Sequence, residues 1–211
     1  LAHILTVRLD TPYMSTLNKF YVSFERGSEI QGILIKNQIM VLNPDSQKDL
    51  EQKGYGEFEK NKFYLKSFES LYLLYTGALT LFKGKKNVDF DSMMQICKKN
   101  DEGILTKFLV YRDLRTRGYT VKDGFGFGSD FRVYSKGDFG EKGAKFLVFG
   151  LSEGKQEKIG KFQKKIEEII KMGKEPIIAV IERRGEIIYY KITRMNFYQN
   201  KQKIEMKDFE F

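Results

Sequence analysis

The chain has 211 residues, of which 41% are apolar and 14% aromatic, so it can form one large domain or two small ones around a buried core. Its net charge of +9 suits a polyanion such as RNA, although a lysine-rich surface without such a partner explains the charge equally well. With one cysteine, Cys97, and one histidine, His3, an internal disulfide and a zinc site built from these ligands are excluded. A magnesium site made only of carboxylates stays open at this point.

The sequence has neither an apolar run long enough to span a membrane nor a signal peptide, so we expect a cytoplasmic protein without a membrane partner.

The first half of the chain predicts a small α/β unit. Residues 27–44 alternate apolar and polar side chains and predict a hairpin that turns at Asn37-Gln38. A helix is expected from its N-cap, Ser67, to its stop at Gly77, followed by a short strand and a basic turn. Polar residues dominate positions 84–102, which predicts a boundary there. We therefore expect an amino-terminal domain at 1–95 and a carboxy-terminal domain at 96–211.

The second half predicts a mixed α/β unit whose sheet is covered by at least one helix. The predicted helices span residues 102–117 and 155–172, and each is ended by a glycine. The predicted strands lie near 119–122, 130–134 and 145–151, with a further pair about the turn Arg183-Arg184-Gly185 and one more in the tail, 203–211.

Several motifs in this order resemble the archaeal tRNA-splicing endonuclease family. The longest is YRDLRTRGYTVKDGFGFGSDFRVY, from Tyr111 to Tyr134, which matches a helix ending in Y-x-x-L-R-x-R-G-Y and a strand ending in D-F-x-V-Y. The stretches GYGE, LKSFESLYLLYTGAL, LVFG and KEPIIAVIERRGEIIYYKITR agree as well. The resemblance covers about residues 25–195, which makes chance similarity improbable.

The resemblance implies a small α/β amino-terminal domain followed by a nuclease-like α/β domain with a mixed sheet. The implied substrate is precursor tRNA, cut at a bulge–helix–bulge motif without a metal or other cofactor. The implied products carry a 2′,3′-cyclic phosphate and a 5′-hydroxyl. The implied partners are homologous subunits in a dimer or tetramer.

The resemblance also implies a catalytic triad of Tyr, His and Lys. In this reaction the 2′-hydroxyl attacks the adjacent phosphorus, so one group takes its proton, one protonates the leaving 5′-oxygen and a cation offsets the phosphoryl charge. Tyr134 matches the tyrosine and Lys174 matches the lysine. The histidine position, four residues before Leu147, is occupied by Gly143, which has no side chain to donate a proton.

Three explanations of Gly143 remain open. The chain is a non-catalytic structural or RNA-binding subunit, or it is an active-site variant of a catalytic subunit, or another group such as Lys142, Lys145 or water serves weakly in place of histidine. Retention of both Tyr134 and Lys174 argues against the first explanation.

Two further family features concern binding. Arg194 matches the second of two arginines that clamp a bulged base, whereas Glu167 and Glu168 stand where the first is expected. The resemblance implies that the loop Ser135–Gly143 is an acidic loop that docks on a neighbouring subunit, although Lys136 and Lys142 dilute its acidic residues and an ordinary solvated hairpin tip is the alternative. A lysine stripe on the predicted helix either follows RNA phosphates or is an ordinary solvated face; its members are Lys155, Lys158, Lys161 and Lys165.

Overall fold

The structure is a computed structural model that describes residues 6–8, 30–124, 126, 128–152 and 159–193, with side chains except in 6–8 and 159–163. Two six-stranded sheets and five helices make up this part of the chain, which confirms the predicted α/β fold. None of the helices in the described ranges is long and apolar enough to cross a membrane. The predicted strand at 203–211 lies outside the described residues.

The first sheet has the strand order β4-β5-β3-β2-β6-β7. Its strands are β2 Ile30–Ile35, β3 Gln38–Val41, β4 Glu57–Glu59, β5 Lys62–Leu65, β6 Leu79–Lys83 and β7 Lys86–Val88. The accompanying helices are α1 Pro44–Gln52, α2 Ser67–Tyr75 and α3 Phe90–Asn100. All neighbouring strands are antiparallel except β2 and β6, which pair in parallel across the intervening hairpins and helices.

The structure corrects two details of the sequence prediction in this half. The predicted hairpin is confirmed, but its turn is at Lys36-Asn37, because Lys36 takes a positive φ of 56° and Gln38 already pairs with Ile35. Ser67 is the first residue of α2 rather than its cap. The cap position is Lys66, whose backbone N–H donates to the Glu69 carboxylate at 2.9 Å.

The polar stretch that predicts a boundary contains helix α3. Its inner side buries Met93, Met94 and Cys97, so the helix packs on the core while its lysines face solvent. Cys97 is one of the buried residues of the core. The division of the chain into domains at 1–95 and 96–211 stays a prediction.

The second sheet has the strand order β1-β12-β11-β10-β9-β8. Its strands are β1 Thr6–Arg8, β8 Thr120–Asp123, β9 Phe131–Tyr134, β10 Phe146–Ser152, β11 Glu175–Ile181 and β12 Ile187–Ile192. Helix α4, Ile104–Thr116, contacts the sheet and also α2, and helix α5, Ile159–Lys171, packs on β11. Only β10 and β11 are parallel, with α5 as their connection.

Buried aromatic rings join the two halves of the chain. Phe68 of α2 lies 4.9 Å from the ring of Tyr111 on α4 and 5.1 Å from the ring of Phe131 on β9. Tyr111 and Phe131 are themselves 5.9 Å apart, and both are fully buried. One continuous cluster of buried residues therefore spans both sheets, and a second, smaller one lies under α5.

Candidate active site

Strand pairing places Tyr134 and Lys174 at the same edge of the second sheet. Val133 pairs with Phe146, and Phe146 pairs with Glu175. One step further along this register, Tyr134, Lys145 and Lys174 stand in one row across β9, β10 and β11. Backbone hydrogen bonds hold this row, from Lys145 N–H to the Val133 carbonyl at 3.0 Å and from Glu175 N–H to the Lys145 carbonyl at 3.0 Å. Neighbouring strands lie about 4.8 Å apart, so Tyr134 and Lys174, which are two strands apart with Lys145 between them, are separated by about 10 Å at the backbone.

Gly143 lies directly beside Lys174. A Cβ atom placed on Gly143 would be 3.2 Å from the Lys174 Nζ atom. The same Nζ atom donates a hydrogen bond to the carbonyl of Ala144, the residue after Gly143. The position at which the family carries histidine is therefore adjacent to the lysine of the expected triad.

Lys174 differs from the nearby lysines Lys145 and Lys191, which both pair with the carboxylate of Glu175. Lys145 lies 3.6 Å and Lys191 2.8 Å from the carboxylate of Glu175. The hydrogen bond from Lys191 holds the pKa of Glu175 below its usual value. Within the described ranges Lys174 has no carboxylate partner, so its charge is available to a phosphate.

The loop after Tyr134 folds back on its own chain. The ring of Phe139 meets the ring of Tyr134 edge to face at 5.1 Å. Asp138 accepts a hydrogen bond from Lys142 at 2.8 Å, so this acidic side chain is paired inside the loop. Docking of the loop on a neighbouring subunit stays a prediction.

The motif GYGE of the amino-terminal half contributes to the surroundings of Tyr134. Gly54 has a φ of +74°, and a Cβ atom there would lie 2.4 Å from Thr120 and 3.3 Å from Phe139. Thr120 is the ladder partner of Tyr134. Only glycine meets both conditions, the left-handed backbone and the close contact, and it thereby allows the two neighbours of Tyr134 to pack.

The glycine-bearing turn before β9 is held by Asp130, a residue that the sequence analysis did not single out. Its carboxylate accepts a hydrogen bond from Gly150 N–H at 2.8 Å and lies 3.9 Å from the Lys107 ammonium group. Burial raises the pKa of Asp130. A Cβ atom on Gly124 would be 1.8 Å from the Ser129 carbonyl oxygen, so this turn requires glycine. The aspartate of D-F-x-V-Y thus orients β9 from its start.

The predicted RNA-binding residues are only partly described. Arg194, Lys155 and Lys158 lie outside the described residues, and Lys161 belongs to α5 although its side chain is not described. Lys165 is half-buried, and its Nζ atom is 2.8 Å from a Cβ position on Gly128 in the glycine-bearing turn. The lysine stripe stays a prediction. In the described residues, no group of three or more His, Cys, Asp or Glu side chains could hold a metal ion.

Comparison with known proteins identifies the family in agreement with this geometry. Residues 104–189 match the family described as tRNA intron endonuclease, catalytic C-terminal domain, and residues 30–94 match the tRNA intron endonuclease, N-terminal domain. A tRNA-splicing endonuclease of Methanococcus maripaludis is 32% identical over 158 residues, which are 74% of this chain and 89% of that protein. One of Pyrococcus furiosus is 30% identical over 184 residues, which are 87% of this chain and all of that protein.

An α/β chain with a nuclease-type carboxy-terminal sheet is therefore the class that the fold and these matches define. The chain belongs to the tRNA-splicing endonuclease family.

Proposed function

We propose that this chain is a subunit of an endonuclease that excises introns from precursor tRNA at bulge–helix–bulge motifs. The products would carry a 2′,3′-cyclic phosphate and a 5′-hydroxyl. The observation that carries the proposal is the row of Tyr134, Lys145 and Lys174, with Gly143 beside the lysine. Residues that match two members of the expected triad lie at this edge of the sheet, and glycine occupies the position that matches the third.

Each remaining side chain has a chemical role in this proposal. The Tyr134 side chain stands on the side of the attacking 2′-hydroxyl and, as its phenolate, takes up the proton of that hydroxyl as the new P–O bond forms. Lys174 places its ammonium group against the phosphoryl oxygens, where negative charge grows in the transition state. The bond from phosphorus to the 5′-oxygen then breaks, and this oxygen must receive a proton. Gly143 cannot supply one, so a water molecule or the ammonium group of Lys145 does so slowly.

A second candidate function is a structural or RNA-binding subunit that does not cleave. Two observations favour it: Gly143 replaces the general acid, and the described side chains of α5 include glutamates 167 and 168 where the family's first clamping arginine is expected. In this case a homologous subunit with histidine at the equivalent position performs the cleavage. Both candidates assign the chain to the same assembly and the same RNA.

A single-turnover cleavage assay separates these candidates. The purified chain is incubated with intron-bearing precursor tRNA, alone and together with a homologous subunit that carries the histidine. We expect very slow or no cleavage by the chain alone, and cleavage in the mixture. Chelation of divalent ions by EDTA should leave the rate unchanged, because no step of the proposal uses a metal.

Matched variants assign the activity to the correct site. Lys174→Ala should abolish any residual cleavage by the chain alone, whereas Lys145→Ala should reduce it only if this lysine is the substitute acid. If Lys174→Ala has no effect in either preparation, the site in this chain is not used and the structural candidate is correct. Failure of the chain both to bind the RNA and to assemble with a homologue would overturn both candidates.

A further inference from the structure

We propose that Tyr75, Phe108 and Arg112 form a stacking platform for an unpaired nucleotide of the RNA substrate, on a surface separate from the candidate active site. This inference rests on the proposed function, since it requires that precursor tRNA is the ligand. The platform lies where the last residue of α2 meets the outer side of α4.

The three side chains form a compact group. The Tyr75 ring lies 5.9 Å from the Phe108 ring in an edge-to-face arrangement. The guanidinium carbon of Arg112 is 5.5 Å from the centre of the Tyr75 ring and 5.7 Å from that of Phe108. Phe90, at the start of α3, supports both rings, at 6.1 Å from Tyr75 and 5.2 Å from Phe108. The group is therefore held by three helices.

Tyr75 is presented to solvent although it is a large aromatic side chain. Its exposed fraction is 56%, whereas Phe108 beneath it is buried. A stacking platform needs this combination, because a buried ring fixes the position and an exposed ring offers area to a base. Every base has a π-face, so such a platform accepts an unpaired nucleotide of any type.

The guanidinium group of Arg112 contacts aromatic rings but no anionic group in the described part of the chain. Among the residues that the structure describes, it has no carboxylate partner and no side-chain hydrogen bond, only the two rings. Its planar guanidinium group can stack and at the same time donate to a phosphate, which ammonium cannot do. A single-stranded RNA segment supplies both complementary groups, a base for Tyr75 and a phosphate for Arg112.

Arg115, three residues further along α4, has a structural role and serves as a comparison for Arg112. Its guanidinium lies 3.8 Å from the centre of the Tyr55 ring, and it donates to the Tyr55 hydroxyl at 3.2 Å and to the Lys53 carbonyl at 3.0 Å. Its donors are used within the protein. Arg112 has the same ring contacts without these acceptors, which points to a ligand outside the chain.

The test compares two RNAs: a precursor-tRNA helix with an unpaired bulge, and a fully paired duplex of the same length. Tyr75→Ala should weaken binding to the bulged RNA about tenfold and leave the duplex unchanged, because a stacked base is lost. Tyr75→Phe keeps the ring and should bind like the original chain. Arg112→Ala should weaken binding and also lower the slope of log affinity against log salt by about one.

Lys85→Ala is the matched control, since Lys85 is an exposed cation in the turn between β6 and β7, outside the platform. Its effect should be equal for the two RNAs. Circular dichroism and light scattering on each variant verify folding and oligomeric state.

The inference is overturned if the original chain prefers the bulged RNA and both Tyr75→Ala and Arg112→Ala keep that preference. It is also overturned if Tyr75→Ala changes the oligomeric state alone, which would make the surface a protein interface. If the original chain binds neither RNA, the proposed function itself fails.

Discussion

Replacement of Gly143 by histidine should restore the missing proton donor. Gly143 is exposed and does not have the left-handed φ that disfavours side chains, so histidine fits its backbone without strain. The new Cβ atom would lie 3.2 Å from the Nζ atom of Lys174. This contact is tight, but the end of a lysine side chain can move by the few tenths of an ångström required. We therefore expect Gly143→His to fold normally.

The size of the gain follows from the role of the group. A positioned general acid contributes about 10² to 10⁴ to the rate, which corresponds to about 3–5 kcal/mol of activation free energy. Because the acid must be protonated to act, the rate should fall as the pH rises through the ordinary range of an imidazole, whose pKa is about 6.5.

Single-turnover cleavage of intron-bearing precursor tRNA measures this effect. Gly143→Ala is the control, since it adds the Cβ atom and its contact with Lys174 but no proton donor. Adding Tyr134→Phe to Gly143→His should remove most of the gain. Equal rates for the His and Ala variants would refute the reasoning, and so would an original chain that already cleaves as fast as Gly143→His.

Three other substitutions test the surroundings of the site. Gly54→Ala should destabilise the protein by at least ~1 kcal/mol, because its Cβ would lie 2.4 Å from Thr120 on a left-handed backbone; an unchanged melting temperature would contradict this. Burial raises the pKa of Glu69, so its ionisation costs stability as the pH rises from 4.5 through the raised pKa. Glu69→Gln should flatten this decline in thermal unfolding, and an equally steep decline in the variant would show that another group is responsible. Tyr111 has a buried hydroxyl without a protein partner among the described residues, so Tyr111→Phe should leave stability unchanged or raise it by up to ~1 kcal/mol; a lower melting temperature would show that the hydroxyl is satisfied.

Local sequence patterns predicted most of the fold. Alternating apolar residues found the hairpin of β2 and β3, and helical spacing found α2, α4 and α5 within a few residues. Helix α1 was not predicted. Its first residue, Pro44, is of a type that ends strand pairing because it cannot donate to a ladder. Proline is also favoured in the first helical turn, and Asn43 caps this helix by accepting hydrogen bonds from Asp45 N–H at 2.9 Å and Ser46 N–H at 3.1 Å.

Local sequence patterns did not predict how the residues of the candidate site are arranged in space. The motifs identified Tyr134 and Lys174 by position, but their place in one row depends on the pairing register of three strands, which no local pattern states. Tyr75 and Arg112 lie in two separate stretches that resemble the family, but they are 37 positions apart and meet only through the packing of α2 on α4, which neither stretch predicts. The catalytic and RNA-binding roles of all these residues stay predictions.

The aromatic cluster that joins the two halves stabilises the fold independently of the side chain at position 143. Phe131 begins the strand that ends in Tyr134, and it is anchored by Phe68 from the amino-terminal half. A fragment that kept one half alone would lose this anchor and expose the rings, so each half stabilises the other. Gly143, in contrast, is exposed in a loop outside the cluster. A lineage can therefore lose the proton donor there, and keep a well-folded subunit for another task, without any compensating change in the core.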